Sequence, residues 1–444
     1  MCAACGERPD PGAPSVLLVT IDTLRADHLG AYGFGGPTSP NFDALAAQGV
    51  LFERAIAASS RTAPSHASIM TSRWVRDHSI GHRNGSTRLT NEAVTLATIF
   101  SEASYDTAAF VSNPLLQRRV GLDLGFGHYD DDMTEVDSNH DDAFERLAEQ
   151  TTDRAVHWLT GLRGAAYFLW VHYNDPHGPY TPPEPYLNDF APDAVADEKA
   201  LPVLSIDRGW FGIPAYQELP GLRRVSEYRS RYSGEIRYFD AEFARLLEAA
   251  ERSAAPRGLV VLVTSDHGES FGERNFYFSH GYATTPDLAH VPMLLRAPGI
   301  EPGRRTELVH HVDILPTLLE TAGLPAPAKT SGIALGAALR GEIPFPDRTV
   351  FCDVGAEVGA YRGDLYLRAR LGASLGDTRK GNWSAHRWGR DGLDPAPAAE
   401  ALRGAIEDYS RDSTAMNAAT ELTGDQAARL RALGYLGPES VDGE

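Results

Sequence analysis

Three cysteines in 444 residues (Cys2, Cys5 and Cys352) are too few for a disulfide framework. No apolar run reaches the ~18–20 residues of a membrane-crossing helix, so no transmembrane segment is expected. Basic residues are also short: 41 Lys and Arg face 60 Asp and Glu, a formal net charge of −19. That balance argues against general nucleic-acid binding, which depends on cations neutralising phosphates. It leaves room for a local anion pocket if a metal supplies the positive charge. The chain has neither internal repeats nor low-complexity tracts. What remains is 42% hydrophobic and 23% charged, the composition of a soluble globular protein. Its length suits one large α/β unit or two to three smaller ones.

Residues 1–14 read as a polar tether rich in Pro and Gly. Met1-Cys2-Ala3-Ala4-Cys5-Gly6 resembles the cysteine end of a bacterial lipoprotein signal, without the positive and apolar regions that precede one. Two readings stand: a truncated lipoprotein start, implying export to the periplasm, or a plain tail on a cytoplasmic protein. Cys2 and Cys5 form one Cys-x-x-Cys pair, a poor zinc or redox signal without partners.

Val16 to Ile21 is a continuous apolar, β-branched run ending at Asp22, as a buried parallel strand would be. Similar runs recur at Thr107 to Val111, Tyr167 to His172, Leu259 to Thr264 and Val291 to Leu295. Helical patterns fall at Pro40 to Gln48, Pro64 to Met70, Ala93 to Glu102, Phe144 to Leu159 and Tyr228 to Ala250. Alternation of this kind predicts an α/β fold: a doubly wound, mostly parallel sheet flanked by helices, spanning 15–344. Pro182 to Pro220 lacks periodicity and reads as a lid or binding loop. From 345 to 444 the pattern changes to short strands (Val350 to Cys352, Leu365 to Leu367) and a closing helix at Asp425 to Leu433, a small C-terminal α+β subdomain.

Ligands of doubly wound sheets bind at strand carboxyl ends, where this chain keeps its acids and histidines. Asp22 ends the first strand as either a metal ligand or a helix cap. Thr62, in Thr62-Ala63-Pro64-Ser65-His66, lies at or beside a helix N-cap because Pro64 suits a first turn. It either caps that helix or offers a hydroxyl where unpaired amides favour a phosphate. Asp266-His267-Gly268-Glu269 follows a buried strand and carries a compact O/N metal pair, or else a cap beside a surface histidine. His172, Asp175 and His177, with His280 further on, complete the set.

Taken in order, these pieces resemble the sulfatase-like branch of the alkaline phosphatase superfamily. The resemblance rests on Asp22 to Gly33, Asp175-Pro176-His177-Gly178-Pro179-Tyr180, Asp266 to Glu269, Val312 to Thr317 and Leu430 to Gly437. It implies a metal-dependent hydrolase of small anionic esters. The nucleophile position departs from it: sulfatases carry Cys or Ser in Cys/Ser-x-Pro-x-Arg, oxidised to formylglycine, whereas Thr62 and His66 stand here. Oxidising a threonine gives a ketone, so formylglycine cannot form. Thr-x-Pro-x-His instead resembles the nucleotide pyrophosphatase/phosphodiesterase relatives, in which an unmodified Thr attacks phosphorus.

By that resemblance Asp22, Asp266 and His267 hold one divalent metal with Thr62 as its activated ligand; zinc or manganese is favoured and calcium is an alternative. Asn84 or Asn113 would donate to a non-bridging oxygen, and His177 or His280 would face the leaving group. A second metal would use Asp175, His177 and His280, although Asp175-x-His177 is two residues short of the relatives' spacing. The expected substrate is a phosphodiester, phosphomonoester or phosphonate monoester. A sulfate ester cleaved without formylglycine is the alternative, and an inactive anion-binding scaffold the third.

Overall fold

A continuous apolar run can be covered on both faces, and all five found in the sequence become strands of one sheet. The computed structural model describes residues 12–78, 80–81, 87–133, 146–206, 208–370, 383–387, 396–411 and 417–419. Among them the sheet strands are β1 (Ser15–Ile21), β2 (Val50–Ile56), β3 (Asp106–Phe110), β4 (His128–Asp130), β5 (Tyr167–Tyr173), β6 (Leu259–Ser265), β7 (His290–Arg296) and β8 (Gly303–His310). They lie in the order β8-β2-β7-β6-β1-β5-β3-β4. β7 runs antiparallel to both neighbours, and the other pairings are parallel.

Alternate side chains of β1 enter opposite cores. Val16 and Leu18 join Ile69 and Met70 of α1 (Thr62–Thr71), and Leu315 and Leu318 of α2 (Ile314–Thr321). Leu17, Val19 and Ile21 join Phe239 and Phe243 of a long helix, Val225–Ala254, and Leu159 of Ala148–Gly161. The sheet is thus covered on both faces, as expected. The helix predicted from Ala93 starts instead at Leu96, because Thr95 accepts the Thr98 amide at 3.1 Å and caps it. Phe144, the expected start of another helix, lies outside the described residues, as does the closing helix at 425–433.

A separate antiparallel sheet of β9 (Val350–Asp353), β10 (Glu357–Arg362), β11 (Leu365–Arg370) and β12 (Trp383–Arg387) forms towards the C-terminus. Leu402 and Ile406 of the helix Ala396–Arg411 pack on it against Val358 and Leu367. The sheet also braces the strand-end edge of the large one, since Asp353 donates its amide to Ala58 and Glu357 accepts the Thr284 amide at 2.9 Å.

Candidate active site

Register assembles the centre. Ile21 lies opposite both Tyr173 and Ser265, so the next residues, Asp22, Asn174 and Asp266, emerge side by side from β1, β5 and β6. Cross-strand bonds hold them: Asp22 donates its amide to Tyr173 at 2.9 Å and Asp266 donates its amide to Ile21 at 3.2 Å.

Helix α1 closes the other side, and all ten of its residues are buried. Small and polar side chains allow that close approach, each with a defined job. Ser65 donates to the Asp266 carbonyl at 2.7 Å, while His66 engages the Thr62 carbonyl through Nδ1 (2.8 Å) and Thr20 Oγ1 through Nε2 (3.0 Å). Arg61 is the N-cap residue and Thr62 the first helical one. Its hydroxyl is not placed at a cap; it is fully buried and lies 3.4 Å from His267 Nε2.

Donor atoms of Asp22, Asp266 and His267 all lie within 4.8 Å of one another. His267 Nδ1 donates to the Gly268 carbonyl (3.0 Å), which leaves the Nε2 lone pair directed at the carboxylates. Asp22 Oδ1 and Asp266 Oδ2 are buried with no hydrogen-bond partner. Orphaned buried oxygens facing an imidazole lone pair are what a divalent cation satisfies, so the residues fit the implied metal, and one nitrogen among oxygens suits zinc or manganese. Without a cation, burial raises the Asp266 pKa well above its ordinary value, and the neighbouring Asp22 charge adds to the rise. Burial opposes the Asp22 charge too, but the His172 ring at 3.6 Å and the neighbouring His177 and His267 outweigh it and hold that carboxyl below its usual range. Burial pushes His267 down to about 3, keeping it neutral and able to ligate.

Asn113 is aimed at the centre but already employed: Nδ2 donates to Asp22 Oδ2 (2.8 Å) and to Asn174 Oδ1 (3.0 Å). Its place is behind a carboxylate. Asn84 lies outside the described residues. His177 and His280 face each other with ring centroids 5.2 Å apart, and His280 stands 4.4 Å from the His267 ring. Asp175 is buried two residues before His177. Among the described residues, converging donor sets are Asp22–Asp266–His267 and His66–His172–Asp266. In the second set both His66 nitrogens are committed, and His172 Nε2 stands behind Asp22 at 3.6 Å. The Asp175 charge adds to the rise that burial imposes on the Tyr173 and Tyr238 phenols.

Sequence reasoning did not single out Asn174, Glu269 or Arg61. Glu269 is fully buried, accepts from Tyr180 at 3.1 Å and lies 3.4 Å from His280 Nδ1. Burial pushes its carboxyl up to about 7 and His280 down to about 4. The available signal for Glu269 was its place two residues after the Asp-His pair. The long 182–220 loop reaches the same region. The Tyr216 ring lies 6.4 Å from that of His177 at 27°, and the buried Gln217 amide packs on Gly178, where a Cβ would come within 1.9 Å.

The Sulfatase family model matches residues 14–324. Iduronate 2-sulfatase of Homo sapiens is 25% identical over 407 residues, covering 74% of this chain and 73% of its own length. A delta 4,5-hexuronate-2-O-sulfatase of Bacteroides thetaiotaomicron is 24% identical over 386 residues, covering 77% and 74%. Among solved structures, the phosphonate monoester hydrolase of Agrobacterium radiobacter superposes with a TM-score of 0.65 at 20% identity, over 89% of this chain and 94% of its own.

Proposed function

This chain belongs to the sulfatase family, and on that premise we propose that it hydrolyses phosphate or phosphonate esters through a covalent intermediate on unmodified Thr62. The carrying observation is the Thr62 hydroxyl, buried at a helix start and 3.4 Å from His267 Nε2, a nitrogen that itself faces the two orphaned oxygens, Asp22 Oδ1 at 3.8 Å and Asp266 Oδ2 at 3.4 Å. A divalent cation held by Asp22, Asp266 and His267 would supply the positive charge that lowers the hydroxyl pKa and polarises the ester.

The chain's own groups account for the rest. The Thr62 oxygen attacks the central atom while the Thr62 and Ala63 amides, which have no intrahelical acceptor, favour the anion there. Pro64 contributes no competing donor. Asn113 and His172 hold Asp22 in place. The Nδ1 of His177 donates to the Gly178 carbonyl (2.7 Å) and that of His280 faces Glu269 Oε1, so each Nε2 offers a lone pair that takes the Thr62 proton as the new ester bond forms and passes it to the leaving oxygen as the old one breaks. Water then cleaves the threonyl ester. Residues 15–344 form the catalytic unit, 182–220 the loop over its leaving-group side, and 345–444 the appended subdomain.

The test is turnover of an aryl sulfate, an aryl phosphate monoester, bis(p-nitrophenyl) phosphate and an aryl phosphonate, with elemental analysis of the same samples. Thr62→Ala should lower the best of these activities by on the order of 10³-fold or more while metal content persists. Unchanged turnover eliminates Thr62 as the nucleophile. A sulfate ester is the second reading, favoured by the likeness to a protein named iduronate 2-sulfatase, and dominant aryl sulfate turnover would establish it.

A further inference from the structure

The residue just before Thr62 carries a charge that the reaction above does not use. Arg61 donates through Nε to the Gly281 carbonyl (2.8 Å) and through Nη1 to the Gly81 carbonyl (3.3 Å). Its guanidinium carbon lies 5.9 Å from the Tyr282 ring centroid. A second guanidinium, that of Arg208, lies 5.3 Å from the same ring. Among the described residues neither arginine pairs with a carboxylate, in a chain that has 60 of them against 41 cations.

Two like charges over one aromatic ring repel, and each cation–π contact returns only about 0.5–1 kcal/mol at an exposed site. A surface device would be relieved by one of the many available acids. Here Arg61 is half-buried, and the exposed Arg208 is carried to it on a pinned backbone. Arg61 is fixed by two carbonyls. Arg208 is carried next to Gly209, whose carbonyl accepts the Tyr277 amide at 2.8 Å and where a Cβ would sit 1.8 Å from the Tyr277 carbonyl oxygen. The ring of the following Trp210 packs against Phe276, tilted by 37° with centroids 4.7 Å apart. Only glycine allows that contact, so the loop is pinned where it sets Arg208 over Tyr282. Tyr282 is in turn two residues after His280, the group assigned to the leaving-group side.

We propose that Arg61, Arg208 and Tyr282 form a subsite for a second anionic group on the leaving group of the ester, a carboxylate, sulfate or phosphate held beside a ring or sugar face. This rests on the hydrolase reading, and it makes the substrate class an acidic ester. Guanidinium forks match planar oxyanions in bidentate fashion, and the ring supplies a flat apolar floor.

Binding separates this proposal from the nucleophile assignment. In metal-loaded Thr62→Ala protein, calorimetry with phenyl phosphate, 4-carboxyphenyl phosphate and 4-sulfophenyl phosphate should show about tenfold or greater preference for a doubly charged probe over phenyl phosphate. The carboxyl and sulfo arms tell which oxyanion fits. Arg208→Gln and Arg61→Gln should each erase most of that preference, with melting curves confirming that both fold. Equal affinity for all three probes, or a preference that survives both substitutions, overturns the subsite. Turnover that persists in Thr62→Ala overturns the nucleophile instead and leaves the binding comparison standing.

Discussion

Removing the metal should expose a cost that the fold carries for its site, and Asp266→Asn should relieve it. Asp22 and Asp266 place their facing donor atoms within 4.8 Å of each other, both fully buried. At that separation and an effective dielectric of about 20, two carboxylates repel by about 3.5 kcal/mol. The apo protein meets this either as repulsion or by keeping a proton on Asp266, the direction in which burial and the Asp22 charge push it. Asparagine keeps Oδ1 for the Thr23 (3.2 Å) and His267 (2.8 Å) amides and turns an N–H towards His267 Nε2, 3.4 Å from the present oxygen. In chelator at pH 8 the variant should therefore melt above the parent, by about 3–6 °C for about 3 kcal/mol in a chain of this size. With zinc or manganese added the order should reverse, because the parent gains by mass action and the variant has lost a ligand. The sign with pH is fixed as well. A carboxyl whose folded pKa is raised costs nothing below its ordinary value of 3.8 and progressively more above it, so the gap in chelator widens as pH rises. Scanning calorimetry from pH 6 to 9, with and without metal, is the assay. A variant that melts at or below the parent in chelator, with metal raising both equally, refutes the reasoning.

Acid should destabilise the fold through buried histidines that the reaction does not use. Burial pushes His28 and His311 down to about 3, so the native protein must keep them neutral, and their contribution is lost as pH falls below the ordinary 6.5. At pH 5 each costs about 2 kcal/mol, which urea titrations at pH 7 and pH 5 would register as a lower midpoint, partly restored in His28→Gln. Gly209→Ala forces a Cβ to within 1.8 Å of the Tyr277 carbonyl oxygen, so the loop must lift. Trp210 emission should shift to the red, with a loss of about 1–3 kcal/mol of stability. Gly178→Ala drives a methyl into the Gln217 amide at 1.9 Å, and the displacement beside His177 should lower kcat more than it raises KM, read from steady-state rates on the preferred ester.

The parts of this site legible in the sequence were those fixed by backbone periodicity. Apolar runs ending in Asp22 and Asp266 gave the strands, their ends and so the metal-like pair, because parallel register repeats the same geometry across neighbouring strands. β2 and β8 escaped notice for the complementary reason. Arg54 and Glu53 interrupt the apolar pattern of the first, and the second is an edge strand whose Arg304, Thr306 and Glu307 are exposed. Thr62 showed in its proline and helix start, but whether it capped or pointed inward depended on where Arg61 fell, a difference of one residue. Glu269 and Asn174 act through neighbours brought in from other strands, and no local pattern records that. The same limit applies to Arg61 and Arg208, which are 147 positions apart in sequence and meet only across Tyr282. The chemistry at the strand ends is thus shared architecture that a sequence announces, whereas the group that chooses among esters is assembled by a loop whose one fixed point, Gly209, is visible only once Tyr277 is seen pressing against it.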